Sequence, residues 1–264
     1  MRDFPQELVD LVIDKLAEPS GTIPKRRLPR LENMSKYSTV SRQWVGRTQK
    51  HYFRSLFFSN QDKLERWCAE FEADPSGLSR HVRSLVLDHI NTLQDFDDHI
   101  RAFVHVKKVK LFCCGILGSL SDVQIFTLMG SSLVELTITG GATTSHINMA
   151  SLLAGLPCLR RLCVGSLKVK NDPNATTSPP SIPFFEGGNI LILRMESCPP
   201  GTLDWIPPTA RFRDLRIEAI CIRENSALVN QWLASSGGGL EDLTILAAPP
   251  GTYTELNTLP DYPL

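Results

Sequence analysis

One apolar pattern recurs along most of this 264-residue chain, and it limits the possible folds more than any other feature. From residue 82 onward, apolar-x-x-apolar-x-apolar occurs as Val82/Leu85/Leu87, Val106/Val109/Leu111, Leu133/Leu136/Ile138 and Leu159/Leu162/Val164. It continues as Ile190/Leu193/Met195, Phe212/Leu215/Ile217 and Leu240/Leu243/Ile245. The middle members stand at 85, 109, 136, 162, 193, 215 and 243, giving separations of 24, 27, 26, 31, 22 and 28 residues. Each triad suits a short strand with one buried face. A unit this small cannot bury that face alone. Stacking successive units produces a parallel sheet over a continuous core. Between the triads, residues 121–129, 145–156 and 225–234 carry apolar stripes that suit helices.

The first 58 residues differ in character. Pro5 suits the first turn of a helix, where its missing N–H is not needed. Leu8, Val12 and Leu16 recur every fourth residue with Val9 and Ile13 beside them, and Glu7, Asp10, Asp14 and Lys15 take the polar side. Pro19-Ser20-Gly21 ends that helix, and residues 19–30 read as a loop rich in Pro, Gly and basic side chains. A second helical stretch runs from about residue 31, with Met34, Tyr37 and Val40 on one side and Trp44 and Val45 in the next turn. Phe53, Leu56, Phe57 and Phe58 close the segment as a strand-like run. Residues 60–73 suit a linking helix with Leu64, Trp67, Cys68 and Phe71 inward, ended by Asp74-Pro75-Ser76-Gly77. Helices this short need partners for their stripes.

The N-terminal segment resembles an F-box, and the match is positional. Phe4-Pro5 precedes Gln6-Glu7-Leu8, the helix stripe matches at Ile13 and Leu16, and the Val-Ser-Arg-x-Trp signature falls on Val40, Ser41, Arg42 and Trp44. The arm from His51 to Leu56 looks like the F-box exit of fungal members. The triads resemble leucine-rich repeats, whose usual period is about 20–29 residues. The expected fold is therefore α/β: a short helical F-box-like module followed by an irregular leucine-rich-repeat solenoid with a parallel sheet. The boundaries are 1–58 for the module, 59–81 for a linker helix, 82–248 for about seven degenerate repeats and 249–264 for a tail. By resemblance, Phe4, Pro5, Leu8, Ile13, Leu16, Met34, Val40 and Trp44 hold the module together or meet a Skp-family adaptor. The sequence does not divide those two roles. Two departures stand out. Residues 18–32 add about ten positions to the usual F-box spacing, with Lys25-Arg26-Arg27 and Arg30 among them. The repeat position that often carries Asn holds Ile90, Cys114, Gly141, Leu167, Cys198, Ile220 and Ala248, so an Asn ladder is missing and irregular turns are expected.

Composition narrows the function. The 28 basic and 28 acidic side chains cancel, leaving no global field toward nucleic acid or an anionic membrane. Seven cysteines form no Cys-x-x-Cys pair and read as reduced thiols of a cytoplasmic or nuclear protein. No signal-peptide h-region and no apolar run of spanning length is visible, so the sequons at Asn33 and Asn174 are expected to stay unmodified. Residues 171–183 form a Ser/Thr/Pro-rich loop. Gly237-Gly238-Gly239 precedes a predicted strand and reads as a turn rather than a phosphate loop. His81, His89, His99 and His105, with Asp95, Asp97 and Asp98 among them, read as solvated or capping side chains, and no metal or cofactor is expected. Lys107, Lys108 and Lys110 flank a predicted strand and, facing solvent, would favour an acidic ligand. The resemblance implies a non-catalytic substrate receptor of a Skp–cullin–F-box ubiquitin ligase. It would bind the adaptor, and through it a cullin, with the module, and an unknown target protein with the repeats. The alternative is a leucine-rich-repeat interaction scaffold with no ligase role.

Overall fold

The computed structural model of the chain describes residues 6–17, 42–70, 77–101, 103–140, 143–170, 192–196, 206 and 209–246. The architecture is mixed α/β, with eight helices and ten strands among the described residues. The chain enters through α1 (Gln6–Ala17) and α2 (Arg42–Tyr52), then β1 (Ser55–Phe58) and α3 (Gln61–Glu70). Next come β2 (Ser84–Asp88), α4 (Asp97–Arg101), β3 (Lys108–Phe112), α5 (Leu120–Thr127) and β4 (Glu135–Thr139). They lead to β5 (Thr143–Ser145), α6 (His146–Ala154), β6 (Arg161–Gly165), β7 (Lys168–Lys170) and β8 (Ile192–Glu196). The last elements are β9 (Asp214–Glu218), α7 (Ala219–Glu224), α8 (Ser226–Ser236) and β10 (Asp242–Leu246).

Eight strands form one all-parallel sheet in the order β1-β2-β3-β4-β6-β8-β9-β10, and β5 pairs with β7 in a small second sheet. The middle apolar residues of the triads lie side by side: Leu85, Val109, Leu136, Leu162, Leu193, Leu215 and Leu243. The last members, from Leu87 to Ile245, form a second such row two residues on. Because strand side chains alternate, this register puts every triad on one face. That face is buried from β2 to β9, where the two rows have no accessible surface. Val82, Val106, Leu133 and Leu159, the first triad members, are buried beside them.

The expected helices cover this face. Leu64 and Cys68 of α3, Val123 and Phe126 of α5, Met149, Leu152 and Leu153 of α6, and Val229 and Trp232 of α8 join the same core. Trp67 stacks on Phe103 at 5.5 Å, and Phe212 meets Trp232 edge-on at 5.6 Å. Phe71 lies outside the described residues. Ser55–Phe58, expected only as a strand-like run, pairs in register with Ser84–Leu87 and so becomes an eighth strand of the sheet. Phe57 departs from its apolar neighbours and points to the opposite, solvated face.

The turns after the strands are more regular than the missing Asn implies. His89, Cys113, Gly140 and Ser166 each follow a strand directly, and all have positive φ, at 53°, 50°, 86° and 54°. Ile90, Cys114 and Leu167 are buried one position later, so apolar packing fills the place of the Asn side chain. Polar side chains join neighbouring units instead. Buried Asp122 accepts from Leu93 N at 2.6 Å and Thr92 Oγ1 at 2.9 Å, about one unit away. Asn148 and Thr144 both donate to Leu117 O, and Ser132 donates to Val106 O. At the far end Leu243 and Ile245 are 44% and 59% exposed, whereas their equivalents on β9 are fully buried. The tail, 249–264, lies outside the described residues.

Leu136 sits in the middle of the central row. Leu136→Ala is expected to destabilise the protein by about 2–5 kcal/mol, read from the urea midpoint. The solvent-facing neighbour substitution Thr137→Ala should change stability by no more than about 0.5 kcal/mol.

Candidate functional site

Two surfaces carry the chemistry. The first is the α1–α2 helix pair. Val9 and Ile13 are buried against half-buried Trp44, and they form a small cluster separate from the main core. An ion-pair network locks the same two helices. The Arg47 guanidinium grips the Asp14 carboxylate with both prongs, Nε to Oδ1 at 2.7 Å and Nη2 to Oδ2. His51 Nε2 lies 2.7 Å from Asp14 Oδ1, and Asp10 stands 3.8 Å from Arg47 Nη1. The Arg47 hydrogen bonds hold the Asp14 carboxyl well below the usual carboxylate range, against the opposing effect of desolvation. The same contact raises the Arg47 pKa.

The helix pair now separates roles that the sequence leaves merged. Ile13 is fully buried and Trp44 packs on it, so both hold the pair together. Leu8 is 46% exposed, with Leu11 at 56% and Val12 at 43% beside it on the outer side of α1. Leu16 lies within α1, but its side chain is outside the described residues, as are Phe4, Pro5, Met34 and Val40 and the insertion at 18–32. Leu11, not singled out by the F-box resemblance, is the most exposed of the three. Its position beside Leu8 and Val12 is the signal that could have found it.

The second surface is the solvated face of the large sheet. Here the register sets Phe57, Val86, Lys110, Thr137, Cys163, Arg194, Arg216 and Thr244 in one row. An adjacent row carries Lys108, Glu135, Arg161, Ile192, Asp214 and Asp242. Glu135 pairs with Lys108 at 2.9 Å and with Arg161 at 3.5 Å. Arg216 pairs with Asp214 at 3.0 Å and Asp242 at 3.6 Å. A hollow of about 380 Å³ lies across this face, lined among others by Lys110, Glu135, Arg161, Arg194, Asp214 and Arg216. Four cations against two anions leave that lining at +2. Thr139 Oγ1, which also lines the hollow, is buried without a hydrogen-bond partner. A second hollow, of about 490 Å³, opens beside Arg211, Arg213 and Gly237–Gly239. Its Ser236 hydroxyl already accepts from Phe212 N.

Of the clustered histidines and aspartates, His89 pairs with Asp88 at 2.8 Å and Asp97 with Arg101 at 2.8 Å. Both ring nitrogens of His99 are buried without partners. Among the described residues, three metal-ligating side chains converge at one place, Asp88, His89 and Cys113, whose ligand atoms lie within 4.8 Å of one another. Burial pushes the Cys68 thiol up to about 12 and the Cys114 thiol up to about 11. Among the described residues no helix is long and apolar enough to cross a membrane. No protein-family model and no curated protein matches this chain.

The depressed Asp14 pKa fixes the sign of one pH effect. Stability from the Asp14–Arg47 contact is present above the unfolded carboxyl pKa, about 3.9, and is lost as pH falls through the lower folded value. The expected result is an acid transition of the helix pair below about pH 4. Asp14→Asn should flatten it and lower stability at neutral pH. The Trp44 fluorescence change, taken as wild type minus Trp44→Phe, checks this against pH.

Proposed function

We propose that this chain is a non-catalytic substrate receptor of a Skp–cullin–F-box ubiquitin ligase. The helical pair docks on a Skp-family adaptor, and the strand–helix units act as a leucine-rich-repeat solenoid that presents a target protein. One observation carries the reading: Leu8, Leu11 and Val12 form an exposed apolar ridge on α1, on the helix where the F-box resemblance places adaptor contacts. A core of Val9, Ile13 and Trp44 and a double-pronged ion pair hold that helix in place behind the ridge. Fully burying one aliphatic side chain contributes about 1.5–3 kcal/mol, so three half-exposed ones offer a partner a substantial driving force. The mechanism is proximity. Holding a target near the ubiquitin-charged enzyme raises its effective concentration, and no reacting group is needed on this chain.

The target side is the solvated sheet face, where the +2 hollow favours an acidic segment of the target. Lys110 is exposed at its rim. Lys110→Glu is expected to weaken binding of a poly-glutamate peptide several-fold by fluorescence anisotropy. Unchanged binding would remove the acidic-target reading and leave the adaptor reading intact.

Docking is tested by co-expression with a Skp-family adaptor and size-exclusion chromatography. The expected result is a 1:1 complex that Leu8→Asp/Leu11→Asp abolishes without changing Tm. Ile13→Asp is unsuitable as a docking probe, because it puts a charge into the helix-pair core. A well-folded wild type that forms no complex overturns the ligase reading and favours an interaction scaffold.

A further inference from the structure

We propose that Asp88, His89 and Cys113 form a binding site for a zinc-class divalent cation on the turns that follow β2 and β3. His89 and Cys113 are 24 residues apart, yet each stands four residues beyond the middle apolar member of its triad, Leu85 and Val109. Repeat stacking therefore brings them to the same edge of the sheet, one strand apart. Asp88 pairs across that step with Phe112. The ligand atoms of the three residues lie within 4.8 Å of one another. A tetrahedral site with Zn–N and Zn–S bonds of about 2.0–2.3 Å needs ligand atoms about 3.5 Å apart. His89 and Cys113 are both exposed, so their side chains have room to rotate toward that spacing.

The backbone beneath is fixed. His89 N donates to Phe112 O at 2.9 Å, Cys113 N donates to Thr139 O at 3.1 Å, and Gly115 N donates to Ile90 O at 2.8 Å. His89 and Cys113 hold left-handed conformations that L-residues disfavour by about 1–2 kcal/mol, so these side chains occupy positions where Gly or Asn would be easier. The next turn shows the contrast. Gly140 occupies the equivalent position, and a Cβ there would lie 2.7 Å from Cys113 Sγ and 2.9 Å from its backbone N. Glycine at 140 keeps the Cys113 thiol unobstructed. The 2.8 Å contact between Asp88 Oδ1 and His89 Nδ1 already sets two of the ligand atoms side by side, and a cation bound between them would take the place of the shared proton.

The donor set selects the metal class. Thiolate, imidazole and carboxylate together suit zinc and not magnesium or calcium, which take oxygen ligands. Three protein ligands leave a fourth position for water or a group from a bound molecule. Cys114, the adjacent thiol, is no competitor: it is buried, and its single S–H is shared between Leu87 O and Phe112 O, each 3.3 Å from Sγ. The Cys113 thiol releases its proton to solvent as the metal–sulfur bond forms, so affinity rises with pH. A cation held here ties the β2 turn to the β3 turn, and its charge is cancelled by the Asp88 carboxylate and the Cys113 thiolate.

The test uses the intact chain with Co(II) as a spectroscopic probe, followed by displacement with Zn(II). The expected result is one equivalent of Co(II) with a thiolate-to-cobalt charge-transfer band. Cys113→Ser should abolish the band. His89→Asn, which keeps a residue tolerant of the left-handed turn, should weaken binding beyond the roughly 10–100-fold that loss of an outer-shell partner costs. Cys158→Ser, at the other exposed thiol among the described residues, should change nothing, and all variants should keep the wild-type Tm. No charge-transfer band, a band that survives Cys113→Ser, or a band lost in Cys158→Ser would each overturn the proposal.

Discussion

The structure rests on register. Eight short parallel strands place one apolar residue of each side by side, from Leu56 to Leu243, and a second row two positions later. A one-residue slip of any strand from β2 to β9 would expose both of its core residues and bury two from the solvated face, among them Lys108, Lys110, Arg194 or Arg216. The cost of burying such a charge unpaired makes the register close to all-or-none. Everything else follows from that alignment. The helices need cover only one face, the charged rows form on the other, and the turns after β2, β3, β4 and β6 share one left-handed conformation along an edge of the sheet.

That alignment explains why the charged sheet face and the proposed cation site combine residues far apart in sequence. Glu135 bridges Lys108 and Arg161 because neighbouring strands put the three side by side. Asp88, His89 and Cys113 meet for the same reason. The α1–α2 pair works differently. It is held by its own small core and by Asp14–Arg47, so its outward ridge can engage a partner while the sheet keeps its register.

Much of this was legible in the sequence, and the limits have physical causes. The seven triads predict both the parallel sheet and the covering helices, because a period-2 strand followed by a helical stripe is a strong local signal. Phe53, Leu56 and Phe58 repeat the same spacing and read as a strand-like run, but the sequence assigns them to the N-terminal module and not to the sheet, because they lie within the stretch that resembles an F-box exit. The turns are more regular than the missing Asn ladder predicts, because an Asn side chain is only one way to support such a turn. Buried Ile90, Cys114 and Leu167, with Asp122 and Asn148 bonding to the backbone of neighbouring units, are another. Within the helix pair, a stripe shows which residues share a side but not which of them a second helix covers. Ile13 and Leu8 share the stripe, and it is the packing of Trp44 that buries one and leaves the other exposed.

Hydrogen exchange followed by mass spectrometry, with and without a Skp-family adaptor, tests the central claim most directly. An F-box-type receptor should gain protection in peptides covering Gln6–Ala17 and Arg42–Tyr52, while exchange across β2 to β9 stays unchanged. Adaptor-induced protection on the solvated sheet face, or none on α1 and α2, would contradict it.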